Sequence, residues 1–480
     1  MNLLTRILAL VAAVPIVFLG CTTSNPKAAF SDVDKAVAQR SGQHIRWMLD
    51  DSATAEIERN VTTLLQTNLT AQSAVAIGLL NNRQLQASFE VVGISQAELA
   101  QASRLHNPTL AASWRFPVEG VKTVNSDYGL TGDFLDLLTL PARKRIAERN
   151  LELTKQRLAH EVLAFAEDIQ AEFYTLVARR QFAQRLALIV EVNEAAADIA
   201  QRQLDAGNIN SMELKNQQLA YTQSRLDLAK VNAESRAHRE KLNRLLGLWG
   251  KQTAWQINDE LSPVPAEELT LDDVESAAVS RRLDLSAARG EVMAVAKALR
   301  LKRSTRYLPG VNLGVNAEQD LDHSWVVGPT LDMEIPLFDQ GQPEIARLTA
   351  EYRRSLRRFE SLAVNIRSEV REARDALIAA REAALYHAQF LLPQNQKLLS
   401  ETLLHYNAMQ VGNYDLLLSK QREQQAEQAA IEALRDYWIA RVRLQTAVGG
   451  TFVPSPTTAV PDRPGTNVTE KHETNPHSHH

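Results

Sequence analysis

An alternating stretch in the second half of the chain decides the fold. It runs Trp325-Val326-Val327-Gly328-Pro329-Thr330-Leu331-Asp332-Met333-Glu334-Ile335-Pro336, and most of its apolar and polar residues follow one another with a period of two. Three more segments alternate in this way, near residues 110–116, 127–134 and 311–316. This period is typical of strands that have one apolar and one polar face. The sequence therefore predicts four strands in two hairpins, with Phe134 in the second strand and Ile335 in the fourth.

Four strands are too few to close a sheet within one chain, since single-chain membrane barrels begin at about eight strands. An open strand edge in lipid would leave backbone N–H and C=O groups unpaired. A sandwich packed on a core is the alternative, but strands inserted between long helices favour a barrel. We therefore expect several chains to contribute strands to one barrel.

Long helices separate these strands, because glycine and proline are scarce elsewhere. Residues 142–206 form a run of 65 residues without either type, which as a helix would be about 98 Å long. Similar runs cover residues 209–246 and 413–448, and a longer segment bounded by Pro343 and Gly412 is interrupted only by Pro393. Helices of this length are typical of coiled-coil-like bundles and helical hairpins. We expect the first long helix to begin after Pro141, and one shorter helix to cover residues 72–106.

The chain contains two copies of this arrangement, about 200 residues apart. Residues 76–87 match residues 277–287, and the turn Gly207-Asn208 matches the turn Gly412-Asn413. In this alignment the counterpart of Asp415 is Asn210. The predicted boundaries are residues 71–250 for the first repeat, 251–269 for an equatorial linker and 270–450 for the second repeat.

The single cysteine, Cys21, ends an N-terminal segment that has the pattern of an export signal. Residues 1–20 combine one Arg, an apolar core and a small residue before the break, so they are predicted to be a lipoprotein signal peptide. Cys21 would then carry acyl chains and anchor the N-terminal segment 21–70. In the alternative, the protein is soluble in the periplasm and Cys21 leaves with the signal. Residues 451–480 are rich in Pro, Thr and charge, which predicts a disordered tail.

Composition and motifs exclude several classes of site. One cysteine excludes a disulfide scaffold and a cysteine-ligated metal site, and a formal net charge of -4 gives no reason to expect nucleic acid as a partner. The histidines have no catalytic spacing, and the phosphate-loop and nucleophile-elbow motifs are absent. We therefore expect a protein that is not an enzyme and that has no cofactor.

The repeats resemble the outer-membrane efflux protein family, whose prototype is the channel TolC. The resemblance rests on Asn107-Pro108-Thr109-Leu110, on the segment from Gly328-Pro329-Thr330-Leu331-Asp332 to Ile335-Pro336-Leu337-Phe338-Asp339-Gln340-Gly341, and on the two Gly-Asn turns. It implies a mainly α-helical fold with a small β part, in which a homotrimer forms a long-helix α-barrel and a β-barrel in the outer membrane. It also implies a passive exit duct that works with a periplasmic adaptor (membrane fusion) protein and an inner-membrane pump, expected to be of the RND type.

The resemblance also implies roles for residues near the two turns. Gly207, Asn208, Gly412 and Asn413 would form the periplasmic tips, where the adaptor docks and a left-handed residue reverses the chain. An acidic constriction that favours cations has three candidates near these tips, namely Asp415, Asp205 and Glu213. A solvated helix end is the alternative explanation for each acid.

The cargo has more than one interpretation. The tail histidines are either ligands for copper, zinc or nickel or ordinary solvated residues, and they are His472, His477, His479 and His480. Residues 134–145 resemble the heavy-metal branch of the family, which favours cations such as copper as cargo. Drugs or organic solutes and type I protein secretion are the alternative cargoes. The alternative from another class is a structural coiled-coil lipoprotein without a pore.

Overall fold

The structure is a computed structural model that describes residues 26–116, 118, 124–258, 260–266, 271–307 and 310–450. The predicted signal peptide, Cys21 and the predicted tail lie outside the described residues. The same is true of the tail histidines His472, His477, His479 and His480.

Two repeats follow a pair of short helices, α1 (Pro26–Ser41) and α2 (Asp51–Leu64). The first repeat consists of α3 (Ala71–Asn81), α4 (Arg83–Ala102), β1 (Thr109–Arg115), β2 (Asn125–Asp133), α5 (Phe134–Asp205) and α6 (Ser211–Leu246). The second consists of α7 (Val274–Arg281), α8 (Leu283–Thr305), β3 (Val311–Gln319), β4 (Trp325–Met333), α9 (Gln342–Tyr386), α10 (Leu392–Asn407) and α11 (Asn413–Ala447). Helices α9 and α10 together are the counterpart of α5. The mainly helical, internally duplicated fold with a small β part is confirmed.

The four strands form one antiparallel sheet in the order β1-β2-β3-β4, as two hairpins predict. The ends of two strands differ from the prediction. Phe134 is the first residue of α5 and not part of β2, because the Asp133 side chain accepts the backbone N–H groups of Leu135 and Asp136 and caps the helix there. Strand β4 ends at Met333, so Ile335 lies beyond it.

The prediction that α5 begins after Pro141 is wrong. The helix has 72 residues and contains Pro141, because its cap at Asp133 lies upstream of the proline. Buried Asp136 accepts the backbone N–H of His106 at 2.8 Å and forms an ion pair with Arg143. This ion pair joins the turn before Pro141 to the turn after it, which offsets the backbone hydrogen bond that proline cannot make.

The second proline interruption is a local one. A π-helical turn at His387–Leu391 separates α9 from α10, and Pro393 is in the first turn of α10. Leu391 and Leu392 keep right-handed helical dihedral angles. A π turn accommodates a residue without an N–H, so the helical rod continues past Pro393.

The helix predicted over residues 72–106 is two helices, and the second repeat has the same break. Asn82 separates α3 from α4 and Arg282 separates α7 from α8, each with an extended backbone. Both breaks pack against a glycine that follows the last helix of their own repeat. This glycine is Gly247 after α6 in the first repeat and Gly449 after α11 in the second. These contacts hold the middle of the molecule together, where α1 to α6 build one apolar core and α7, α8, α9 and α11 build another.

Candidate functional site

The sheet has one apolar and one polar face, and the apolar face is exposed. The strand register places Leu110 beside Leu130, Leu130 beside Val315, and Leu313 beside Leu331. The large side chains of this face are Leu110, Trp114, Tyr128, Leu130, Leu313, Val315, Trp325, Val327, Leu331 and Met333, all 37% exposed or more. An apolar surface of this extent marks an interface with lipid or with another protein.

The opposite face of the sheet carries polar and charged side chains. Arg115 lies 3.6 Å from Asp127 and 3.8 Å from Glu318, and Asn125 donates to Glu318 at 2.8 Å. Such a face suits contact with water. Strands β1 and β4 are the two edges of the sheet, and within the described part of the chain each pairs with a neighbour on one side only.

The first helical turn joins α5 to α6. Gly207 is left-handed (φ 76°), and the N–H groups of Gly207 and Asn208 donate to the carbonyls of Leu204 and Gln203. These bonds close α5 in a Schellman arrangement. Asn210 then begins α6, and its side chain accepts the N–H of Glu213 at 2.9 Å.

The second turn, between α10 and α11, has the same geometry at different residues. The left-handed residue is Met409 (φ 59°), and the N–H groups of Met409 and Gln410 donate to the carbonyls of Tyr406 and His405. Gly412 has an extended backbone (φ -85°) and begins α11. The prediction of a left-handed glycine is therefore right at Gly207 and wrong at Gly412.

The turn geometry also corrects the alignment of the two repeats by three residues. Gly207 is the counterpart of Met409, and Asn210 is the counterpart of Gly412. Glu213, and not Asn210, is the counterpart of Asp415, since each is the third residue of its helix. Both acids lie in a first turn, where the helix dipole favours negative charge.

The structure divides the three predicted constriction residues between the two turns. Asp205 ends α5 and accepts a hydrogen bond from Gln201 at 2.9 Å, Glu213 lies in the first turn of α6, and Asp415 lies in the first turn of α11. The Asp415 carboxylate accepts the N–H of Gly412 at 3.2 Å, so it also caps its own helix.

Exposed apolar residues at the tips were not predicted. Met212 and Tyr414 are counterparts and are 68% and 74% exposed, and Met409 is 94% exposed. The corrected alignment is the signal that could have found them, because it places a large apolar residue just before the acid in both turns.

The helix pair α5–α6 lies beside the helix pair α10–α11. A groove of about 600 Å³ lies between α5, α6 and α11. Three polar contacts join α11 to α5: Lys420 to Asn193 at 3.3 Å, Glu427 to Arg185 at 3.0 Å and Glu432 to Arg179 at 3.3 Å. Burial lowers the pKa of Lys420, and the charge of Glu423 offsets this only in part. Burial raises the pKa of Glu427 although Arg185 lies beside it. These contacts place both turns at the same end of the molecule.

Neither a metal centre nor an apolar membrane helix is found in the part of the chain that the structure describes. Its His, Cys, Asp and Glu residues form no group of three or more that could hold a metal ion. None of its helices combines the length and the hydropathy that crossing a membrane requires.

Similar proteins identify the fold. No protein-family model matches the chain. A solved structure of CusC, described for its folding and transmembrane channel formation, has a TM-score of 0.66 at 19% identity, and the match covers 80% of this chain and 93% of that one. The CmeC outer membrane channel of Campylobacter jejuni has a TM-score of 0.68 at 14% identity, with 79% and 85% covered. The chain has the fold of the outer-membrane efflux channels.

The chain is also similar in sequence to a curated protein. The cobalt-zinc-cadmium resistance protein CzcC of Cupriavidus metallidurans is 21% identical over 393 residues, which cover 80% of this chain and 87% of CzcC. The predicted resemblance to the efflux protein family is therefore confirmed.

Proposed function

We propose that the protein is the outer-membrane channel of a tripartite efflux system, a passive duct from the periplasm to the exterior. The two-faced sheet carries this proposal. Its exposed apolar face, with Trp114 and Trp325, suits lipid, and its charged face, with Arg115 and Glu318, suits a water-filled pore. A wall of this kind requires no chemistry, so the protein acts as a conduit and not as an enzyme.

A homotrimer closes the duct in this proposal. Strands β1 and β4 are sheet edges, and pairing them with other copies satisfies the backbone groups that lipid cannot. The helices give a second argument, because α6 exposes Met212, Leu219 and Leu226 at intervals of seven residues. Helices α9 and α10 and the π-helical turn between them expose Tyr386, Phe390, Leu403 and Leu404. Two apolar faces on helices at opposite sides of the protomer suit packing between neighbouring copies.

The periplasmic tips are the proposed docking site for the adaptor protein, which links the duct to an inner-membrane pump of the RND type. The exposed Met212, Met409 and Tyr414 add an apolar surface to the predicted tip residues Gly207, Asn208, Gly412 and Asn413. Three copies of Asp415 and Glu213 near one axis would favour cations at this end, and Asp205 would add to them. Cys21 remains the proposed lipid anchor in the outer membrane.

Heavy-metal cations are the proposed cargo, and the name of CzcC as a cobalt-zinc-cadmium resistance protein supports this. The described residues form no group that could hold a metal ion, so the structure does not select the cargo, and drugs, organic solutes or secreted proteins stay alternatives. A coiled-coil scaffold without a pore has no use for an exposed apolar sheet, which argues against that alternative.

Single-channel conductance in planar bilayers tests the duct. The purified full chain is expected to run as a trimer in detergent and to give cation-selective conductance. Replacement of Asp415 and Glu213 by Asn and Gln is expected to lower the cation selectivity, whereas the distant pair Glu56→Gln and Glu58→Gln serves as the control. A monomer that gives no conductance would reject the duct. Restored tolerance to cobalt, zinc or cadmium in a strain that lacks its own channel tests the cargo.

A further inference from the structure

Exposed apolar residues form a collar where the helices meet the sheet. They lie in the first turns of α5, just after α8 and between β4 and α9, and they are Phe134, Leu137, Leu138, Tyr307, Ile335, Leu337 and Phe338. Phe338 is 99% exposed and Leu337 is 72% exposed. Side chains of this kind are typical of the boundary between a membrane and water, where aromatic rings are enriched.

A belt of positive charge follows this apolar collar along the helices. The belt comprises residues 143–149 of α5, 297–306 of α8 and its end, and 344–358 of α9. These three segments contain 14 Arg and Lys residues and 3 Asp and Glu residues, in a chain whose formal net charge is -4. The excess of positive charge is therefore local and lies at the end of the helices that adjoins the sheet.

Six of the 14 cations of the belt are exposed arginines that are available to a ligand. Arg145, Arg149, Arg300, Arg303, Arg354 and Arg358 are exposed, and none of them lies within 4.0 Å of an acidic group among the described residues. Like charges on three neighbouring helices repel one another unless anions lie between them. An anionic surface beside the belt would relieve this repulsion.

The order of the layers indicates which anion this is. The apolar sheet ends where α5 begins, and Phe134 and Leu138 lie in the first turns of this helix. Arg143 lies about 14 Å further along α5 than Phe134, at 1.5 Å per residue. A bilayer has the same order of hydrocarbon, interface and phosphate, and its interfacial region is about 5–8 Å thick on each side. A water-filled pore alone would not require an exposed collar with a fully exposed Phe338 before the cations.

We infer that the belt binds the phosphate groups of anionic phospholipids on the periplasmic side of the membrane and so sets the depth of the channel. The inference rests on the proposed insertion of the sheet into the outer membrane. Guanidinium groups suit phosphate because they donate two parallel hydrogen bonds. Clusters of basic residues beside a membrane-spanning element attract anionic lipid by about 1 kcal/mol for each cation near the surface.

The test is quenching of tryptophan fluorescence by brominated lipid in vesicles that contain the full chain. Every chain, including the one called wild type because its belt is unchanged, carries the reporter Phe338→Trp in the collar together with Trp114→Phe and Trp325→Phe. Trp114 and Trp325 are replaced because they lie at the end of the sheet away from the helices, whereas position 338 is exposed next to the belt. Vesicles of phosphatidylcholine and phosphatidylglycerol are prepared with the bromine on one lipid or on the other, and the ratio of quenching gives the relative affinity. The wild-type chain is expected to prefer phosphatidylglycerol about fivefold at about 0.1 M salt, and to lose the preference at about 1 M.

Four substitutions in the belt are compared with four outside it. The belt variant carries Arg145→Gln, Arg149→Gln, Arg303→Gln and Arg354→Gln, and its preference is expected to fall below twofold. The control variant carries Arg202→Gln, Arg236→Gln, Arg367→Gln and Arg422→Gln at exposed positions away from the sheet, and it should keep the wild-type preference.

The outcomes separate this inference from the proposed function. Quenching without any preference in the wild type overturns the belt but leaves the membrane channel intact. No quenching by either lipid overturns both, because the sheet is then not in lipid. A belt variant that keeps its lipid preference but changes the ion selectivity of the pore also overturns the inference, since it places the cations in the lumen.

Discussion

The two helical turns have the same backbone geometry, with an exposed apolar residue and an acid at matching positions, but different residues reverse the chain and cap the next helix. In the first turn, Gly207 is left-handed and the Asn210 side chain caps the next helix. In the second, Met409 is left-handed and Gly412, which has no side chain, begins the next helix. The comparison teaches that the duplicated fold preserved positions and not residues. A glycine in one turn therefore has a different conformation from the glycine in the other.

The middle of the molecule shows a similar difference. In the first repeat, the break between α3 and α4 is held by amides, because Asn81 and Asn82 donate to the last carbonyls of α6 and to Gly247. In the second repeat, Arg282 instead pairs with Asp284 at 2.7 Å and with Glu369 at 2.6 Å. One backbone arrangement thus depends on neutral groups in one repeat and on charge in the other.

The largest expected effect is that of Gly247→Ala. Gly247 is left-handed (φ 67°), and an added Cβ would lie 2.7 Å from the carbonyl oxygen of Asn81. We expect a loss of about 3 kcal/mol in the free energy of unfolding, from backbone strain and overpacking together. Gly207→Ala is the matched control, since its φ is 76° but nothing lies within 4 Å of the added Cβ. Urea unfolding followed by circular dichroism in detergent measures both, and equal losses would contradict the packing argument.

The second effect is a dependence on pH that the helix break of the second repeat should show and the helix break of the first repeat should not. Burial alone would raise the pKa of Asp284, but the hydrogen bond and charge of Arg282 outweigh burial and hold that pKa below its usual value. The stabilisation by Asp284 is therefore present above about pH 4, the ordinary pKa of an unfolded Asp, and is lost as the pH falls through the lowered pKa.

Asp284→Asn tests this dependence. We expect a loss of about 2 kcal/mol at pH 7, because it leaves partly buried Arg282 with one acidic partner fewer, and little loss at the acid end of the range. Asn82→Ala in the first repeat should instead lower the stability equally at all pH values, since only amides and carbonyls take part there. A loss for Asp284→Asn that does not vary with pH would show that the ion pair has no such role.

The third effect is the loss of a helix cap at the first turn. Asn210→Ala removes the acceptor for the N–H of Glu213 and is expected to destabilise the protein by about 1 kcal/mol. In the second turn, Gly412→Ala removes no side-chain acceptor and should change the stability less. Melting temperatures of the two variants in the same detergent compare them, and a larger loss for Gly412→Ala would refute the difference between the caps.

The smallest effect is a gain in stability. Met409→Gly relieves the left-handed conformation of a side chain that makes little contact, being 94% exposed. We expect a gain of about 0.5–1 kcal/mol, after the greater freedom of glycine in the unfolded chain is counted. Met212→Gly serves as the control, because Met212 is an exposed residue of helix α6. This substitution should lower the stability of the protein instead. A loss for Met409→Gly would show that its side chain has contacts beyond this chain.

The sequence predicted the strands and the long helices because both depend on local patterns. Alternation from Trp325 to Met333 marks a strand wherever it lies, and a run of 65 residues without Gly or Pro has few alternatives to a helix. The Gly-Asn dipeptides also marked both turns. Their alignment was wrong because Gly412 serves as a helix start and Met409 took the left-handed position against its intrinsic preference.

Contacts between distant segments determined the remaining features. Pro141 lies inside a helix because Asp136 binds both Arg143 and the backbone of His106, which is 30 residues away. The break at Asn82 exists because its amide caps α6, more than 160 residues downstream. The exposed Met212 and Tyr414 were not predicted, since exposure depends on which helices pack against a face.

By itself, therefore, the sequence determined the kind and order of the strands and long helices, because periodicity and the positions of Gly and Pro act within a few residues. The tertiary structure alone decided where the prolines are tolerated, which residue reverses each turn and where charge collects. Three basic segments that are separate in the chain, in α5, α8 and α9, form one belt only because these helices adjoin the same sheet. Basic residues that are far apart in the sequence form one charged surface only when folding brings them together.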